Sequence, residues 1–156
     1  LTNISQCGIG NRQIMHNVLN FKFEKTDTVV ILWTNTHRWC VIHEDGVEDI
    51  GTWQKTKIAS AFAEYMSDEY DCLVSTSHNI HLADYHLKNI GIEPIHIISS
   101  LSFFKEFVWN NVTLENFDFK LREKYPPALD GKHPSIEAHR EFADLVIQSI
   151  DNRNHF

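Results

Sequence analysis

Cysteine is scarce in this chain and unpatterned. Residues 7, 40 and 72 are odd in number and form no C-x-x-C pair, which argues against both a disulfide framework and a Cys-rich zinc site. Long apolar runs are missing too: nothing approaches the ~20 residues that a membrane-crossing helix needs. No charged-then-apolar leader precedes a cleavage site. Positive charge is in deficit, with 14 Lys and Arg against 21 Asp and Glu and a formal net charge of −7. The Lys and Arg are scattered, so no basic stripe can neutralise a phosphate backbone. These absences argue against nucleic acid and membrane as partners and lead us to expect a cytoplasmic or otherwise soluble protein. The chain opens on Leu1 with no initiator Met, and by residue five it reads as a strand-to-helix turn, so the N-terminus is expected to be incomplete.

What is present suits one core. The 156 residues are 42% apolar and 12% aromatic, enough for a single domain over residues 1–156. Thr28-Val29-Val30-Ile31-Leu32-Trp33 is a continuous apolar, β-branched run, the pattern of a strand buried on both faces of a parallel sheet. Pro94 to Ile98 reads the same way, after a helix stop at Gly91. Leu1 to Ile4 reads as the tail of an earlier strand, followed by the glycine-bearing turn Ser5 to Gly10. Asn11 is placed to cap a first helix with Ile14, Met15, Val18 and Leu19 on one face.

Between the two strong strands, residues 38–53 have no clean period and read as a long loop or small excursion. Trp39 to His43 is a candidate short strand before the turn Glu44-Asp45-Gly46. From Trp53 to Asn89 the residues Ile58, Phe62, Tyr65, Met66, Leu73, Ile80, Tyr85 and Leu87 fall at helical spacings, giving one long helix or two with a break near Asp71 or Ser77. The stretch from Ser99 to Pro127 is aromatic and irregular, with Phe103, Phe104, Phe107 and Trp109 on a short helix. A last helix from about Ser135 to Ile150 carries Ile136, Ala143, Val146, Ile147 and Ile150 on a core-facing stripe. Alternating strands and helices predict a three-layer α/β fold. Its functional groups should gather beyond the carboxyl ends of the strands.

The chemistry-bearing motif is Asp130-Gly131-Lys132-His133-Pro134-Ser135, an acid and an imidazole three residues apart in a turn that opens the last helix. A carboxylate beside a histidine fixes its tautomer and stabilises its charged form, as a general base needs. The same residues also read as a turn and a helix cap, Ser135 being a good cap. The ten histidines do not build a metal centre: His78, His81 and His86 have mixed spacing, and His133 and His139 are not at i and i+4. No cofactor is expected. Trp33, His37, Arg38 and Trp39 are either a substrate-binding wall, with Arg38 facing a carboxylate or sulfate, or packed indoles.

Three ordered blocks, Ser5-Gln6-Cys7-Gly8-Ile9-Gly10-Asn11, Val29 to Thr36, and Asp130-Gly131-Lys132-His133-Pro134, resemble the later signature blocks of the SGNH (GDSL-like) hydrolases and span nearly the whole chain. The resemblance implies a flavodoxin-like short parallel sheet flanked by helices, and an esterase or acylhydrolase that works through a Ser-His-Asp mechanism. It gives His133 the role of base and Asp130 that of orienting acid. Gly8 would offer a backbone N–H, and Asn35 its side-chain amide, to the tetrahedral oxyanion. Such preset donors are worth roughly 3 kcal/mol each.

The chain departs from the family pattern in two places. Trp33 and Thr36 stand where the third block has Gly and Asp around its asparagine. The Gly-Asp-Ser block and its strand are missing, which leaves the nucleophile unassigned. Ser5, Cys7 and Ser135 are the nearest internal alternatives, none of them in a strand-to-helix elbow. In the family the missing strand lies between those read here at residues 1–4 and 28–33. Its loss should open a gap, to be closed by direct pairing of the flanking strands, by homo-oligomerisation, or left as a damaged core. The resemblance thus implies a fragment acting on small-molecule esters only once completed, the alternative being a noncatalytic module for a small molecule or carbohydrate.

Overall fold

The computed structural model describes residues 2–6, 8–51, 54–98, 114–116, 124–129 and 134–153. Within them, helix α1 (Asn11–Asn20) leads to strand β1 (Val30–Trp33), and β2 (Arg38–His43) and β3 (Gly46–Gly51) follow. Next come α2 (Lys57–Tyr65), α3 (Glu69–Asn89), β4 (Ile95–Ile98), β5 (Leu114–Asn116) and α4 (Ile136–Arg153). The architecture is α/β: a parallel sheet in the order β1-β4-β5, with β2 and β3 forming a separate antiparallel ribbon.

The two apolar runs pair with each other. β1 and β4 lie parallel with Val30 opposite Ile95 and Trp33 opposite Ile98, and β5 adds on the far side of β4. One face of the sheet is closed. Val29, Ile31, Trp33 and Ile98 pack against Val18 of α1 and Leu73, Ile80, Ala83 and Leu87 of α3. α3 ends as a Schellman turn, Gly91 N–H donating to Lys88 O and Ile92 N–H to Leu87 O, and this delivers the chain to β4.

Several sequence expectations need correction. Residues 2–6 form no strand: all are exposed, and Ser5 N–H donates to the Asn3 side chain in a local turn. Residues 38–51 are a regular hairpin rather than a loop, paired from Arg38–Gly51 to His43–Gly46. The expected turn at Glu44-Asp45 is present, but β3, rich in Gly and acid, gave no apolar alternation. The helical stretch breaks at residues 66–68, where Asp68 caps α3 by accepting from Asp71 N–H. The break near Asp71 or Ser77 is not there. Of the residues expected inside, Ile58, Tyr65, Met66 and Tyr85 are exposed.

α4 is turned away from its expected stripe. Ile136, Ala143 and Ile147 face solvent, while Ala138 is buried and Leu145, Val146 and Ile150 are half-buried. Glu141 ties the helix to the preceding segment by accepting from Lys124 Nζ at 2.6 Å and from the Tyr125 hydroxyl. Leu19 of α1 also points outward. The aromatic residues from Phe103 to Trp109 lie outside the described residues, and β5 falls within the stretch read as irregular. Among the described residues no helix is long and apolar enough to cross a membrane.

The hairpin sits hard against the start of α1. A Cβ on Gly10 would lie 2.6 Å from Arg38 O and 3.1 Å from Trp39 C, both backbone atoms. Its φ of −86° is ordinary, so the glycine is required by close approach and not by a tight turn. Gly10→Ala should therefore lower stability by about 1–3 kcal/mol through overpacking, read as a lower urea midpoint. Gly46→Ala, with nothing within 4 Å of the new methyl, should stay within about 0.5 kcal/mol of the parent.

Candidate functional site at the carboxyl end of β1

Asn11 organises this end of the sheet. It is the first residue of α1 and, contrary to expectation, does not cap it, since Gly10 is the N-cap and no side chain of the helix serves. Its buried side chain instead reaches the chain leaving β1: Nδ2 donates to Thr34 O and to Thr76 Oγ1 of α3, each at 3.1 Å, and Oδ1 accepts from Thr34 N–H at 2.8 Å. One amide thus ties α1, the β1 exit and α3 together.

The turn bearing Gly8 and the loop bearing Asn35 are therefore brought to the same end of β1. Gly8 adopts φ +85°, a left-handed conformation that glycine takes without steric cost. Asn35 is exposed and forms an Asx turn: Oδ1 accepts from His37 N–H at 2.8 Å, while its carbonyl accepts from Arg38 N–H. With Oδ1 fixed, the amide NH2 is the end that this turn leaves unused.

Asp130 and His133 lie outside the described residues. The chain on either side is anchored: Pro127 and Pro134 form an antiparallel bridge, and Ser135 Oγ accepts from Ala138 N–H at 3.4 Å. Ser135 is 6% exposed and serves as the cap that the sequence suggested. Cys7 is outside the described residues, and Ser5 is exposed beside Gly8.

The aromatic wall is not a wall. Trp33 is fully buried, and Trp39 stacks on Phe62 at 5.6 Å between ring centroids. Arg38 opens β2, where its charge helps to hold down the pKa of Asp49. Burial is the larger influence on Asp49 and pushes its pKa up, the Gly10 N–H and Arg38 offsetting it only in part. Asp49 stands opposite Cys40, and burial and the Asp49 charge push that thiol up, against Arg12 and the Gln13 N–H. The Cys72 thiol is likewise raised, first by burial. Both thiols are buried and held protonated, the reverse of a reactive cysteine.

A second acid–histidine pair, which no spacing rule reveals, lies in the core. His96 of β4 is fully buried. Trp33 Nε1–H donates to its Nδ1 at 2.9 Å, and its Nε2 lies 3.2 Å from Asp84 Oδ1. An indole nitrogen only donates, so Nδ1 is the unprotonated nitrogen and Nε2–H donates to Asp84. Lys88 Nζ donates to Asp84 Oδ2 at 3.1 Å and to Glu93 at 3.2 Å. Burial works to lower the Lys88 pKa, but these two carboxylates outweigh it and the pKa rises. With its acceptor nitrogen occupied by Trp33, His96 is a structural brace and not a general base. Among the described residues no group of three or more His, Cys, Asp or Glu could hold a metal ion.

No protein-family model, curated protein or solved structure matches this chain.

Two consequences can be measured. Asp49 has a raised folded-state pKa, so ionising it costs stability above that pKa, and the cost is absent below the unfolded value near 3.8. Asp49→Asn should stabilise the protein at pH 7, and pH-dependent urea melts should show the gain vanishing as the pH falls below about 4. Trp33→Phe removes the donor to His96 Nδ1 and shrinks a fully buried ring. It should cost about 2–4 kcal/mol by the same melts.

Proposed function

We propose that this chain is a fragment of an SGNH-like hydrolase that acts on acyl esters through a Ser-His-Asp mechanism and is inactive without the strand that carries the serine. The observation that carries this reading is the Asn11 clamp, which draws the Gly8 turn and the Asn35 loop to one end of β1. A backbone N–H from the first and a side-chain amide from the second are the donor pair that an acyl-transfer oxyanion requires.

In the completed site the serine hydroxyl attacks the ester carbonyl as His133 takes its proton, with Asp130 orienting the imidazole. The carbonyl oxygen becomes an oxyanion accepting from Gly8 N–H and Asn35 Nδ2. His133 then returns its proton to the departing alcohol, and water resolves the acyl-enzyme by the same steps. Arg38, at the start of β2, would meet an acidic group on the substrate.

The sheet supports the same reading. β1 has the sequence of a strand covered on both faces, yet Val30 and Leu32 are 37% and 49% exposed, while their neighbours Ile95 and Ile97 are buried. Among the described residues β1 pairs only with β4. An added strand on the open side would give the three-layer, flavodoxin-like sheet that the resemblance implies, and an uncovered edge is also a place for self-association. The engagement of Ser135 as a helix cap favours a second reading, a noncatalytic small-molecule or carbohydrate module that has the loops but no nucleophile.

Sequencing the source DNA upstream of the Leu1 codon separates the two. An in-frame apolar strand ending in Gly-Asp-Ser is expected; a start signal directly before Leu1 would sink the fragment reading in favour of the module. The chain as it stands should hydrolyse p-nitrophenyl acetate no faster than a protein blank. Robust turnover abolished by His133→Ala would put the nucleophile inside these residues.

A further inference from the structure

We propose that the open edge of β1 is an interface between two copies of this chain, paired antiparallel about Ile31 to make one continuous sheet. The register of β1 on β4 fixes which backbone groups are free. Val30 stands opposite Ile95 and Leu32 opposite Ile97, and Ile95 N–H donates to Val29 O. In a parallel pair with this register Val29, Ile31 and Trp33 turn their N–H and C=O groups toward β4, so those of Val30 and Leu32 point the other way. Among the described residues no strand lies on that side.

What can dock there is limited at one end. Thr34, the next residue of the same series, has both groups taken: its N–H donates to Asn11 Oδ1 and its carbonyl accepts from Asn11 Nδ2. The Asn11 amide stands where a neighbouring strand would place a peptide, and it closes the edge beyond Leu32. A second β1 running antiparallel fits what is left. Val30 of each copy meets Leu32 of the other, and each such pair exchanges two hydrogen bonds. The blocked Thr34 then faces Thr28 of the other copy, which lies before β1 begins.

The side chains and the charge agree with this occupant. Val30 and Leu32 are the exposed members of β1, and the pairing lays each beside its counterpart on one face as an apolar cross-strand set. Each copy carries a formal net charge of −7, which opposes association wherever acids meet. Residues 28–36 have no charged side chain, so two copies meet at this edge without that repulsion. Neither Lys nor Pro, the residues that guard edge strands, stands in the same run. A two-fold contact of this kind closes after two copies, and its small area makes the association weak. The proposal does not rest on the hydrolase reading.

The test is sedimentation equilibrium of the chain from about 1 to 200 µM, the range of a weak interface, at about 150 mM salt. We expect a monomer of 18.2 kDa at the low end to give way to a dimer at the high end. Leu32→Pro removes an N–H that points into the open edge and none that β4 uses, and Val30→Lys with Leu32→Lys puts charge on both sides of the joint. Each should weaken the dimer by about tenfold or more. Leu82→Lys, at a position 50% exposed on α3, should leave it unchanged. Thermal melts matching the parent show which variants are folded, and the lysine pair decides where the proline disturbs β1. A monomer at every concentration, assembly that runs on past the dimer, a dimer that survives the lysine pair, or an equal loss with Leu82→Lys would each overturn the proposal. The sequence upstream of Leu1, which decides the hydrolase reading, does not enter this measurement.

Discussion

The side chain of Asn11 joins three elements that the sequence places far apart. Its hydrogen bonds reach Thr34 at the exit of β1 and Thr76 in the middle of α3, at separations of 23 and 65 residues. The amide is 2% exposed, so its bonds are made where water cannot replace them. Each is worth about 0.5–1.5 kcal/mol net, and more is lost when one partner is left bare in the interior. The close approach of Gly10 to the β2 backbone depends on the same placement, since Gly10 is the residue before Asn11. The local conformations of Gly8 and Asn35 acquire a common location only through this clamp.

A second polar chain starts from the same strand. Trp33, His96, Asp84, Lys88 and Glu93 connect β1 through β4 to the last turns of α3 and out to solvent. Trp33 is the residue immediately before Thr34. The strand end that carries the Asn35 loop is thus fixed from two sides, by Asn11 across α1 and by His96 across the sheet. Trp33 has a structural role in this second brace, because its indole N–H sets the His96 tautomer. A network whose members all have partners favours one arrangement of the core over its competitors.

Legibility in the sequence followed the strength of local signals. β1 and β4 were readable because Val29 to Trp33 and Ile95 to Ile98 are continuous apolar runs, and the end of α3 because Gly91 precedes Pro94. β3 and β5 were not. One is rich in glycine and acid, and the other is three residues long and held only by register with β4. The 66–68 break was hidden because Tyr65 and Met66 continue the apolar period while facing water. The Asp84–His96 pair was beyond any spacing rule, since it needs both the Schellman turn and the β1–β4 register to bring residues twelve apart together. Of the candidate site, Gly8 and Asn35 were legible as a glycine turn and a strand-end asparagine; Asn11, which brings them together, was read as a cap. His133 and Asp130 were legible as a motif and lie outside the described residues.

The two faces of the sheet show why the fold and the function are one question here. The α1 and α3 face is complete: Ile31, Trp33, His96 and Ile98 are all buried, and its polar members are paired. On the other face Val30 and Leu32 of β1 are exposed, while β4 beside them is buried throughout. A misfolded or generally loose sheet would lose burial on both strands and both faces. The deficit instead follows the outer strand and the one face, and among the described residues β1 has no strand on its other side.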